Sequence, residues 1–189
     1  MDKLIDYVKI YNIGDPEFNQ FVTENVASIE DEDWTEHQWF AYNEPVVRSN
    51  KKELSTYYPK SAFAKRKWRE YNSAAIDRYL KDMPYDTTIY GISDVRYNKY
   101  QINTQMLRHH DHIRSLFDGM RKGIPVLTVI AAMNPQSEYT GGEFVFDNFD
   151  TEVRLDMGEI MVFPSVFLYE HHVKEVTSGE RFAAVSWAF

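Results

Sequence analysis

Between Leu107 and Ser115 the chain reads LRHHDHIRS, three imidazoles crowded around one carboxylate. Of six histidines only His37 stands alone; His109, His110 and His112 form one cluster, and His171 and His172 another about sixty residues on. The chain has no cysteine, so a metal would have to be held by His, Asp, Glu or main-chain oxygen. Two imidazoles and one carboxylate can occupy one face of an octahedral iron(II) ion and leave its other positions open for chemistry.

Spacing narrows the ligand choice. Two ligands on one extended segment must be two residues apart to point the same way. Asp111 has such a neighbour in His109, whereas His110 and His112 flank it directly and would face away. The third ligand is His171 or His172. A His-x-His pair of cupin type is offered by His110 and His112, but that motif wants Gly where Thr104 stands and Glu where Leu116 or Phe117 stands. A His-x-Asp taken alone is common by chance, so the pattern needs support from the rest of the chain.

The elements that must position these residues fall into two textures. In the first half, Asp15-Pro16 is a helix start, followed by Phe18, Phe21, Val22 and Val26 at helical spacing. Ser61 opens a longer helical pattern with Trp68, Tyr71, Ala75 and Tyr79 on one face, closed by Pro84. Between them lies a polar stretch at 43–60, a surface loop or a lid over a substrate. The second half reads as strands: an alternating 96–101, an apolar run at 124–133 expected to be buried on both faces, a Gly141-Gly142 turn into EFVF, a short strand at 159–163 stopped by Pro164, and an alternating RFAAVSWAF with Arg181, Ala183, Val185, Trp187 and Phe189 on one face. Short strands with turn signals between them suggest a barrel or jelly roll, and helices first with strands later make the whole α+β. One domain over 1–189 is expected, with 1–93 a mainly helical support and 94–189 the working sheet.

Composition limits the partners. The net charge of −8 repels phosphate backbones, and the one basic cluster, KRKWR at 65–69, lies in a helical pattern as a solvated face. No nucleic-acid partner is expected. No apolar run approaches the ~18 residues of a membrane span, and the N-terminus lacks a signal-peptide core, so no membrane partner and a cytoplasmic setting are expected, in a host cell if the chain is virus-encoded. The chain closes on its last strand, which favours a monomer.

Read together, the motifs resemble the iron(II)/2-oxoglutarate-dependent oxygenases, and within them the prolyl 4-hydroxylase-like group with its short viral and bacterial members. The likeness runs through RYNKY at 96–100, HHDHIRSLFDG at 109–119, IPVLTVIAAMN at 124–134, GGEFVF at 141–146, MGEIMVFPS at 157–165 and HHVKEVTSGERFAAVSW at 171–187. The resemblance implies a double-stranded β-helix (jelly-roll) core with the N-terminal helices packed on it. It implies His109, Asp111 and His171 as metal ligands and catalytic centre, because the family's His-x-Val-x-x-Val-x-x-Gly-x-Arg pattern keeps Val173, Val176, Gly179 and Arg181 in step only with His171. His172 and His110 are then solvent-exposed. Arg181 is implied to pair with the distal carboxylate of 2-oxoglutarate, which suits a planar, permanently charged fork. Tyr100 would hydrogen-bond the same carboxylate, Thr128 would line the cosubstrate pocket, and Trp187 would wall it.

Two departures stand out: Asn103 where many relatives have Gly, a residue tolerant of positive φ, and Ala132 where some have a cosubstrate-binding Tyr. The implied reaction is hydroxylation of a C–H bond with iron(II), 2-oxoglutarate and dioxygen, releasing succinate and CO2, with ascorbate as a candidate reductant. Asp111 favours hydroxylation over halogenation, since related halogenases replace that carboxylate with a small residue. Trp187 stands where nucleobase demethylases carry a second Arg. The implied substrate is a prolyl residue in a peptide or protein, with the acidic surface favouring a basic or neutral partner. A free amino acid or other small molecule, and an inactive binding protein on the same scaffold, are the alternatives.

Overall fold

A computed structural model describes residues 3–13, 15–41, 44–83, 88–112 and 125–189. In chain order the strands and helices are β1 (Lys9–Asn12), α1 (Pro16–Ala27), β2 (Thr35–Glu36), β3 (Trp39–Ala41), β4 (Glu44–Val46), β5 (Ser55–Tyr57), α2 (Ala62–Asp82), β6 (Arg96–Tyr100), β7 (Met106–His109), β8 (Leu127–Ala132), β9 (Tyr139–Gly141), β10 (Phe144–Phe146), β11 (Thr151–Val153), β12 (Glu159–Pro164), β13 (His171–Val173), β14 (Val176–Gly179) and β15 (Arg181–Ala188). A seven-stranded sheet runs β1-β12-β8-β15-β6-β5-β2 and faces a four-stranded sheet, β11-β10-β13-β7. This is the double-stranded β-helix, antiparallel throughout its named pairings, with the two long helices on one side. Among the described residues no helix is long and apolar enough to cross a membrane.

Strand alternation divides the interior into two cores. Leu127, Val129 and Ala131 of β8, Ile160 and Val162 of β12, and Ala184 and Ala188 of β15 face the helices and pack with Phe18, Val22, Trp68 and Ala75. Their alternates, Ile130 and Ala132, Met161 and Phe163, and Ala183 and Val185, face the other sheet and pack with Phe144, Phe146 and Val173. β8 is therefore buried along its whole length, as its unbroken apolar run requires. Ile124, where that run begins, lies outside the described residues, as do Pro84 and the 113–119 portion of the histidine motif.

Both helix starts follow the local chemistry. The Asp15 side chain accepts from the Phe18 amide at 2.7 Å, and the Ser61 hydroxyl from the Ala64 amide at 3.4 Å. On α2 the apolar face includes a polar member: buried Asn72 donates to the Ser186 hydroxyl at 2.9 Å and ties the helix to β15. Trp68 does the same for β6 by donating to the Tyr97 hydroxyl at 2.6 Å.

The N-terminal half also does more than supply helices. β1 extends one edge of the large sheet, and β5 and β2 extend the other. The polar stretch 43–60 is correspondingly more than a loop: its described part holds β4, which forms a hairpin with β3, and β5, which joins the sheet. The strand at 159–163 continues through Pro164.

Asn103 stands at φ 65°, in the left-handed region, and its amide donates to the Val176 carbonyl at 2.8 Å just before β7 begins. The turn it makes sets the approach of the strand that carries His109. Asn103→Val should cost about 1–2 kcal/mol because a β-branched residue is strained there, while Asn103→Gly should fall within a few tenths of the parent. Denaturant midpoints at unchanged slope would show it.

Candidate active site

β7 and β13 lie antiparallel with His109 and His171 directly opposite each other. Their rings stand 4.4 Å apart between centroids. Asp111 follows two residues after His109 and returns its carboxylate to the same point, 3.5 Å from His109 Nε2 and 3.9 Å from His171 Nε2. The ligand-capable atoms of all three residues lie within 4.8 Å of one another. Each imidazole is fixed from behind. His109 Nδ1 lies 2.7 Å from the Leu107 carbonyl, and His171 Nδ1 2.9 Å from the Tyr169 carbonyl. A carbonyl can only accept, so the protons sit on Nδ1 and both Nε2 lone pairs face the carboxylate. Three electron-pair donors aimed at one point repel each other unless a cation sits between them.

The surroundings sharpen this. Burial and then the neighbouring His109 imidazole push the His171 imidazole down to about 4, so it is neutral at pH 7. Burial alone would raise Asp111; the imidazole of His109, then His171 and the Thr128 hydroxyl, outweigh it and hold the carboxyl well below its usual range. Phe144 stacks on His171 at 4.7 Å, and Trp39 meets the His109 ring edgewise at 5.2 Å.

A narrow cavity opens from the three ligands toward β6 and β15, and Tyr100, Asn98, Arg96 and Arg181 line it. Arg181 sits opposite Tyr100 in the strand register, only 6% exposed, with its guanidinium carbon 4.8 Å from the Tyr100 ring centre. Among the described residues no carboxylate lies within ion-pair distance of it, and its Nη1 is buried without a hydrogen-bond partner. A buried, unmatched guanidinium facing a cavity fits a carboxylate-bearing ligand. Gly142, at φ 68°, explains part of the Gly-Gly motif: a Cβ there would come within 2.9 Å of the Arg181 Cδ. Burial pushes the Tyr100 hydroxyl up, against the opposing pull of the Arg181 and Arg96 guanidiniums, so it stays a protonated phenol.

Two of the expected pocket residues lie elsewhere. Thr128 does not line the cavity; fully buried, it donates to Asp111 Oδ2 at 2.7 Å and receives from the Ser165 hydroxyl at 2.8 Å. Its strand position faces inward, but Asp111 takes up the hydroxyl. Trp187 does not wall the cavity either: it lies behind Arg96, whose guanidinium carbon is 4.9 Å above its ring. His172 is half-buried beside Asp147, 3.1 Å from the carboxylate, and His110 is also half-buried, so neither is simply exposed. Arg96 and Asn98 were legible in principle, since they share the parity of Tyr100 on β6. Trp39 carried no such signal.

The model of the 2OG-Fe(II) oxygenase superfamily matches residues 95–189. The chain belongs to that superfamily. Its ligand set and unmatched Arg181 fit the two groups in the family's name. The chain is 32% identical over 110 residues to a PKHD-type hydroxylase of Prochlorococcus marinus, a match covering 57% of this chain and 45% of that protein. It thus spans less than half the length of that curated relative. Among solved structures it is similar to the viral collagen prolyl hydroxylase of Paramecium Bursaria Chlorella virus-1 in complex with 2OG (TM-score 0.69, 14% identity, 96% of this chain and 94% of that one). It is also similar to a Trichoplax adhaerens prolyl hydroxylase in complex with a hypoxia inducible factor peptide fragment (TM-score 0.69, 19% identity, 97% and 83%). At those identities the likeness is one of fold.

Thr128→Val keeps the shape and removes the donor to Asp111. It should weaken divalent-metal binding roughly 10- to 100-fold, read by manganese(II) titration. The metal-free protein should also lose stability as the pH falls from about 6.5 to about 4. The unfolded chain protonates residue 171 near 6.5 and the folded one near 4, so this contribution is full above that window and lost through it. His171→Gln should flatten the slope in denaturation curves taken across that range.

Proposed function

We propose that the chain is an iron(II)- and 2-oxoglutarate-dependent dioxygenase of the prolyl 4-hydroxylase type, and that it hydroxylates a prolyl residue in a peptide or protein with release of succinate and CO2. The observation that carries this is the pairing, in one narrow cavity, of three convergent ligands with an unmatched, buried Arg181. His109, Asp111 and His171 would hold the iron, and Arg181 with Tyr100 would hold the distal carboxylate of 2-oxoglutarate. When bound, iron and 2-oxoglutarate together supply the oxidising power that lets dioxygen enter a C–H bond.

The chain's own residues do the rest. Asp111 stays ionised, so it competes for metal without first losing a proton. His171 is kept neutral by burial, with its free lone pair on Nε2. Arg181 orients the cosubstrate by a two-pronged charge-assisted contact, and the protonated Tyr100 phenol can donate beside it. Phe144, Ile130, Val173 and Val185 make the rest of the wall apolar, which keeps water from the reacting atoms. A peptide substrate is supported by the Trichoplax likeness and by the groove that β3, β4 and the segment after them leave beside Trp39.

Succinate release from 2-oxoglutarate with iron(II) should be measurable and should rise with prolyl peptides. His109→Ala should reduce it to background. Arg181→Gln should raise the KM for 2-oxoglutarate roughly 10- to 100-fold, as expected for one charged hydrogen-bonded contact. No succinate from the parent protein, with or without peptide, would leave the inactive-scaffold alternative standing. A +16 Da shift in the peptide would identify hydroxylation.

A further inference from the structure

The cavity contains a second arginine that the proposed reaction does not use. Arg96 stands on β6 four residues before Tyr100, about 13 Å along the strand from the deep end where Arg181 lies. It borders both the central cavity and an outer groove shared with His37, Thr56 and Tyr58. Its orientation is built: Nε donates to Oδ1 of the Asn98 side chain at 3.0 Å, and its flat face rests on Trp187 at 4.9 Å. Among the described residues it forms no ion pair, although acidic residues outnumber basic ones in the chain. Its terminal nitrogens are left to the cavity and the groove.

A second unmatched group lies alongside. His37 Nε2 is buried and has no hydrogen-bond partner among the described residues. The ring of His37 packs edgewise on Trp39 at 4.9 Å, and Trp39 in turn packs on the metal ligand His109 at 5.2 Å. A path of contacts thus leads from His109 to His37, which lines the outer groove together with Arg96. Burial and then the charge of Arg96 push His37 down to about 4, so it is a neutral imidazole with one N–H to give.

We propose that Arg96 and His37 form an anion subsite for the primary substrate, which receives a carboxylate while the C–H bond to be hydroxylated lies at the metal. This rests on the dioxygenase reading and deepens it, by naming a substrate feature. A planar guanidinium propped on an aromatic ring and tethered at Nε is suited to a carboxylate and poorly suited to an amide. The net charge of the chain does not oppose this, because a partly buried contact is decided by groups within a few ångströms while distant surface charge is screened. The carboxylate can come from a free amino acid or from an acidic residue in a peptide.

Calorimetric binding to the anaerobic protein loaded with iron(II) and 2-oxoglutarate distinguishes these sources. The probes are L-proline against L-prolinamide, and acetyl-prolyl-aspartyl amide against acetyl-prolyl-asparaginyl amide. In at least one pair the carboxylate member should bind roughly 10- to 100-fold more tightly. Arg96→Gln should bring that ratio close to one, Arg96→Lys should restore part of it, and His37→Phe should reduce it by a smaller factor. Preference in the first pair assigns the subsite to a free α-carboxylate, and in the second to an acidic residue of a peptide. Equal binding within both pairs, or a preference that survives Arg96→Gln, overturns the proposal. Because binding is read without turnover, carboxylate preference with no succinate production would sink the dioxygenase reading alone, and succinate production with no preference would sink the subsite alone.

Discussion

The register between β7 and β13 is the constraint on which the site depends. It sets His109 opposite His171, and a slip of one residue would turn one of the two imidazoles to the other face of the sheet. The register is fixed from both sides. Behind it, Asn103 turns the chain into β7 with its amide on the Val176 carbonyl. In front of it, Asp111 is anchored to the opposite sheet through Thr128 and Ser165. Two sheets therefore share one candidate metal-ligand set: the small sheet carries the imidazoles, and the large one holds the carboxylate in place.

The remainder of the fold keeps the large sheet rigid enough to do that. Its strands β8, β12 and β15 are largely apolar on both faces because one face meets the helices and the other packs toward the small sheet. Deleting a large core side chain such as Trp68 would typically cost about 3–5 kcal/mol, comparable to the whole margin of a small domain. The helix layer is thus a structural condition for Thr128 to meet Asp111, even though among the described residues no helix residue lines the cavity.

Legibility in the sequence followed the strength of local signals. The helix starts at Asp15 and Ser61, the doubly buried β8 and the positive φ at Asn103 were readable because a single residue type or a simple period dictates each. The His-x-Asp spacing was readable for the same reason. The ligand on β13 was ambiguous by spacing, since adjacent histidines differ only in which face they take. For Thr128 and Trp187 alternation gave a direction but not a depth or a partner, so the hydroxyl's contact with Asp111 and the ring's contact with Arg96 went unread. The short strands β1, β2 and β5 were missed because edge pairing of a few polar residues leaves almost no periodic trace. Trp39 reaches His109 through a hairpin whose packing is entirely tertiary.

The charge of the cavity adds an argument that no single residue carries. Its permanently or firmly ionised lining is Asp111 against Arg96 and Arg181, so these three leave the cavity wall one positive charge in excess. A bound iron(II) ion would raise that excess by two, and the 2-oxoglutarate dianion would remove two. One positive charge would be left, and Arg181 would already be matched by the cosubstrate. In a cavity lined otherwise by Ile130, Phe144, Val173 and Val185, an unmatched charge is poorly solvated. The excess therefore belongs at Arg96, where the outer groove still admits solvent or a ligand, and it falls to the substrate to neutralise it.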